Sequence, residues 1–89
     1  MIERLWIGEV ANPLDGNVDV LVTLSDGRGY AFTAFTPGNV ARVMAQEGLG
    51  HFVCDDLLLV RDLNEPTIRA AVEDVVANYD LDRHGIRQG

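Results

Sequence analysis

The sequence predicts a two-layer α+β sandwich, with a four-stranded, mostly antiparallel sheet and two helices on one face, in the order β-β-β-α-β-α. Three observations carry this expectation. Two runs rich in β-branched and aromatic residues, Asn17–Leu24 and Tyr30–Phe35, flank an Asp26-Gly27 pair, and Asp-Gly suits a hairpin turn that needs positive φ. Two later segments carry apolar residues at three- and four-residue spacing, the mark of helices with one buried stripe. Finally, 89 residues make one domain, and a chain that short buries only about 60–65% of its unfolded surface, so one sheet and one helical layer are what it can build.

The elements follow in order. Ile2 to Val10 reads as the first strand, with Leu5 and Ile7 on one face and Arg4 and Trp6 on the other. Asn12-Pro13-Leu14-Asp15-Gly16-Asn17 is a run of turn formers that ends it. Val18 to Leu24 is the second strand and Tyr30 to Phe35 the third. A two-residue Asp26-Gly27 loop sets Val22 against Ala31, Val20 against Thr33 and Val18 against Phe35. Val18, Val20, Val22, Leu24, Ala31 and Phe35 then face the core. Asp19, Leu21, Thr23, Tyr30 and Phe32 take the other face, with an apolar patch of Leu21, Tyr30 and Phe32. A longer loop would flip one strand's set.

Thr36-Pro37 opens a helix, because Thr36 can accept from the free first-turn amides and Pro37 loses nothing at the first helical position. Val40, Val43 and Met44 share one side, and Gly48 closes the helix. His51 to Val60 is the fourth strand. Its continuous Leu57-Leu58-Leu59-Val60 run suits a strand covered on both faces. Asn64 caps the second helix, in which Ile68, Ala71, Val72, Val75, Val76 and Tyr79 form the apolar stripe. Residues 1–79 are thus one α+β domain, and residues 80–89 a polar tail that frays.

Composition excludes several classes of function. Net charge is −7 and every basic side chain is arginine or histidine, so the chain lacks the clustered positive charge that a nucleic-acid backbone requires. It has no apolar run of the roughly 18 residues that a membrane helix needs, and it begins without the basic and apolar stretches of a leader. A cytoplasmic setting is expected, and the single Cys54 suits a reducing compartment.

The candidate chemistry is sparse. His51 and Cys54 have the spacing of half a metal site, but two neighbouring strand positions three apart face opposite ways and the other ligands are missing. Asp80-Leu81-Asp82-Arg83-His84-Gly85 opens like a calcium loop, yet the chain ends before the closing glutamate. No metal and no cofactor is therefore expected. Asp55-Asp56 ahead of an apolar run reads chiefly as a structural acid pair, with partner recognition as the second reading. Aromatics on an uncovered sheet face are typical of protein interfaces. Asp19, Leu21, Tyr30, Phe32, Asp55 and Asp56 are accordingly the expected partner-binding residues.

Asp19-Val20-Leu21-Val22-Thr23-Leu24-Ser25-Asp26-Gly27-Arg28, then Phe35-Thr36 leading a helix, then Phe52-Val53-Cys54-Asp55-Asp56-Leu57-Leu58-Leu59-Val60 and the Thr67-Ile68 helix resemble a group of small bacterial proteins. The pattern covers positions 2 to 79 and departs from the group at Val53, where a large aromatic is expected. Such proteins look like the acidic immunity and antitoxin proteins of toxin systems. With the acidic balance and the aromatic face, the expectation is a non-enzymatic module that binds a protein with a basic surface, or a second copy of itself. The alternative is a small homodimeric enzyme or ligand-binding domain with a pocket near His51, Cys54 and Asp56.

Overall fold

A computed structural model describes residues 1–88 of the chain; of the 80–89 tail, Gly89 lies outside the described residues. The element order is β1 (Ile2–Ile7), β2 (Asn17–Leu24), β3 (Gly29–Phe35), α1 (Pro37–Glu47), β4 (Leu57–Leu59), α2 (Glu65–Asn78), α3 (Leu81–His84) and β5 (Ile86–Arg87). The strands form one open mixed sheet in the order β1-β2-β3-β4, antiparallel except for the parallel β3–β4 pair. The α+β class and the antiparallel character are those the sequence predicts. β5 pairs antiparallel with β3 at Tyr30 and Ala31, so it shares with β4 the outer edge of β3.

The hairpin differs from the expectation by one residue. Val18 lies opposite Ala34, Val20 opposite Phe32 and Val22 opposite Tyr30. The Leu24 amide donates to the Arg28 carbonyl at 2.8 Å and the Gly27 amide to the Leu24 carbonyl at 3.0 Å. The loop is therefore Ser25-Asp26-Gly27, with Gly27 at φ 93°, the three-residue turn whose last position needs a left-handed residue. Asp26 closes it by accepting from the Arg28 amide and from Arg28 Nε at 2.8 Å.

That single extra loop residue reverses the faces of β3. Tyr30, Phe32 and Ala34 join Val18, Val20, Val22 and Leu24 in the core, and Ala31 and Phe35 go to the other side. Tyr30 is fully buried and Phe32 nearly so. The expected exposed patch of Leu21, Tyr30 and Phe32 does not exist; of the three, only Leu21 reaches solvent.

The tail is the second correction. Asp80 caps a short α3, its carboxylate accepting from the Asp82 amide at 3.1 Å. Leu81 is buried in the core. The Tyr30 hydroxyl donates to Asp82 Oδ1 at 3.1 Å. Gly85 lies so close to the Phe32 ring that an added Cβ would stand 2.8 Å from Cζ. Its role is close packing. The segment from Leu81 to Arg87 thus closes the core over Tyr30 and Phe32.

The helices share the work unequally. α2 supplies the helical layer through Ile68 and Val72, both fully buried, with Ala71, Val75 and Val76 beside them. α1 gives the core cluster no side chain and buries only Asn39. It is anchored at its start: Thr36 Oγ1 accepts from the Asn39 amide at 3.3 Å and from the Gly16 amide at 3.2 Å, while Arg42 pairs with Asp15. Gly48, at φ 66°, closes it as expected. At α2 the cap differs in detail. Asn64 stands at the cap position but its side chain accepts no cap bond; the Asp62 carboxylate accepts from the Asn64 amide at 3.0 Å instead. Hydrogen bonds from Thr67 first, then from Asn64, hold the Asp62 carboxyl below the usual carboxylate range.

Candidate functional site: the open sheet face

With α2 and α3 packed on one side, Trp6, Leu21 and Ile86 on the other side of the sheet reach solvent. The alternation of β-strands dictates the composition of that side. Trp6 lies opposite Leu21, Leu21 opposite Ala31, and Ala31 opposite Ile86. Directly paired residues project to the same face. These four side chains therefore form one unbroken row across β1, β2, β3 and β5, about 15 Å long at the usual strand spacing. Trp6 is 52% exposed, Leu21 42% and Ile86 49%. Three large apolar residues abreast on a surface this small make a patch, in contrast to the scattered single residues common on any surface.

The neighbouring rows are polar or covered. On one side lie Arg4 and Thr23, opposite each other. On the other lie Asp19 and Thr33, then Leu57. Phe35 is next, with Leu59 beside it. The chain between α1 and β4 folds over this end. The Phe52 ring stacks edge-on against Phe35 at 5.1 Å between centroids. The Asp56 carboxylate accepts from the Thr33 hydroxyl at 3.0 Å, and its carbonyl accepts from the Thr33 amide at 2.9 Å. The open face is thus bare at the Trp6 row and roofed at the Phe35 row.

The expected site residues divide accordingly. Asp19 and Leu21 sit on the open face and reach solvent. Asp55 is exposed on the turn ahead of β4. Asp56 is half-buried and fully engaged with Thr33 and Cys54, so it is the structural acid of the pair. Tyr30 and Phe32 are core residues. Trp6 and Ile86 are the surface residues missing from the expected set. The exposed parity of Trp6, opposite to Leu5 and Ile7, was available in the sequence; Ile86 was not, because nothing local marks a two-residue strand in a polar tail.

Of His51, Cys54 and Asp56, the structure joins the last two. The Cys54 thiol donates to Asp56 Oδ1 at 2.7 Å. Burial, and then that bond to an acid, push the thiol up from its ordinary value, which keeps it protonated and a poor nucleophile. His51 is exposed. Among the described residues, no three or more His, Cys, Asp or Glu side chains gather in a metal-binding group, and no helix is long and apolar enough to cross a membrane.

No family model, no curated protein and no solved structure matches the chain.

Proposed function

We propose that the protein is a small acidic binding module, non-enzymatic, whose open sheet face docks onto another protein through an apolar contact ringed by basic groups. The observation that carries this reading is the row Trp6, Leu21, Ala31 and Ile86, three of its four members large and half-exposed. An apolar centre led by tryptophan is the composition of an interface core. The partner's charge follows from this chain's own. A net charge of −7 and the exposed carboxylates of Asp19 and Asp55 favour encounter with a positive surface and repel a negative one. An immunity or inhibitor role belongs to this class, since blocking a basic surface requires steering and shape but no chemistry.

Trp6 is the only tryptophan in the chain, which gives a direct test. A basic protein captured in stoichiometric amount should shift Trp6 emission to the blue and shield it from iodide. Leu21→Ser should weaken that capture at least tenfold, and raised salt should slow it. A captured partner that leaves Trp6 emission and iodide quenching unchanged would show that the face is not the docking surface.

A further inference from the structure

The sheet has two edges, and they are not equivalent. β1 carries a bulge between Ile2 and Arg4 and presents Glu3 and Arg4, devices that stop an edge from pairing with another chain. β4, at the opposite end of the strand order, has neither. Its three residues are Leu57, Leu58 and Leu59, and Leu59 is 59% exposed. In a parallel pair a strand turns alternate residues toward one neighbour. Asp56 gives its carbonyl to Thr33 and Val60 its amide to Phe35, so the bonding groups of Asp56, Leu58 and Val60 face β3. The amides and carbonyls of Leu57 and Leu59 face outward. Two clefts are lined by residues of that edge and of α2, with Leu59 and Ala71 common to both. One is lined by Leu57, Leu59, Ala71, Val75 and Tyr79, the other by Leu59, Arg61, Pro66, Thr67 and Ala70.

We propose that β4 is a homodimerisation edge, pairing antiparallel with β4 of a second copy about a two-fold axis at Leu58. The register is self-complementary. Leu57 of one copy lies opposite Leu59 of the other, twice, and these are the residues whose bonding groups face outward, so both pairs close with two hydrogen bonds each. The charges agree with it. The same axis brings Arg61 of each copy, 84% exposed and paired through Nε with its own Asp62 at 3.1 Å, to the Asp55 turn of the other, where its outer nitrogens can meet the second carboxylate. A shifted register loses this match. The small Ala70 and Ala71 on the flank of α2 let the two helices approach under the joined strands. The two sheets then become one, and the exposed Leu59 is covered by the partner copy. This inference does not depend on what docks at the open face.

Sedimentation velocity over a hundredfold concentration range tests it. The wild-type chain should run as a dimer that dissociates on dilution. Asp55→Arg and Arg61→Asp should each weaken the dimer at least tenfold, and the two together in one chain should restore it. Leu59→Lys should give a monomer with an unchanged circular dichroism spectrum. Trp6→Ser should leave the dimer intact. A wild-type monomer at the highest concentration would overturn the proposal, including one whose edge takes up only an extended peptide of another protein. So would a double charge reversal as weak as the single ones, or a dimer lost with Trp6→Ser, which would move the contact to the open face.

Discussion

Single atoms decide much of this structure. At Gly85 the absent Cβ is what allows the chain to cross the Phe32 ring, since a methyl group there would stand 2.8 Å from Cζ and 2.9 Å from Cε1. The ring is buried and cannot swing aside, so Gly85→Ala is expected to cost about 1–3 kcal/mol, in the range of overpacked cores, read as a lower urea midpoint. The methyl-sized change at Gly38 in α1, where an added Cβ would meet no packed neighbour, should hold or raise the midpoint and serves as the control. Thr36 joins three segments through one hydroxyl, which accepts from the Asn39 and Gly16 amides. Thr36→Val keeps the volume and removes the cap; a loss of about 1–2 kcal/mol in chemical denaturation is expected.

Asp62 acts at the same scale but through protons. Its folded carboxyl is held below the unfolded value by Thr67, Asn64 and Arg61. A carboxyl depressed in this way adds stability above the unfolded value, about pH 4, and that contribution is lost as pH falls through the lower folded value. Acid titration of the wild-type chain should therefore show a stability loss below about pH 4 that Asp62→Asn lacks, the variant being weaker at neutral pH. Equal acid slopes for both would show that Asp62 does not anchor α2 by charge.

At the scale of elements, what the sequence made legible was whatever a local rule controls. Thr36-Pro37 starts α1 and Gly48 ends it because capping chemistry acts within one turn. The stripe through Ile68 and Val72 marked α2 because it repeats over fourteen residues. Leu5 and Ile7 against Arg4 and Trp6 gave β1 the correct faces. The hairpin register was not legible, because Asp26-Gly27 serves a two-residue loop and the end of a three-residue loop equally well, and the difference between them moves every β3 side chain across the sheet. The open face itself followed from the count of helices, yet its membership did not, since it inherits the register. β4 came out at three residues instead of ten because the chain ahead of it leaves the sheet to cover Phe35 and Thr33. α3 and β5 escaped notice because their only apolar residues, Leu81 and Ile86, stand singly among charged ones. Removing residues 81 onward should uncover Tyr30 and Phe32. A chain ending at Asp80 is expected to bind a hydrophobic dye strongly and to melt several degrees lower; a chain that does neither would show that the segment from Leu81 is not the lid.

For the molecule as a whole, two surfaces with different physics coexist. The open face offers side chains without unsatisfied backbone, so it should tolerate substitution in the free protein. Trp6→Ser with Leu21→Ser is expected to leave the thermal midpoint within a few degrees, because both side chains already contact water. The β4 edge offers backbone groups that an extended strand can satisfy, and in the proposed dimer Leu59, Asp55 and Arg61 fix which strand does so. A dimer formed there would present two open faces on one continuous sheet, and a partner docking as proposed would meet two patches in place of one.

The lap of the last strand over Tyr30 and Phe32 bears on how the protein is made. Synthesis proceeds from the N-terminus, and domains begin folding while still attached to the ribosome. The β1–β2–β3 meander and even α2 can emerge complete, yet the ring of Phe32 has no lid until Leu81 and Gly85 arrive. A nascent chain paused at α2 carries a sticky aromatic window, the kind of surface that chaperones hold. The segment from Leu81 to Arg87 is the latch of this core.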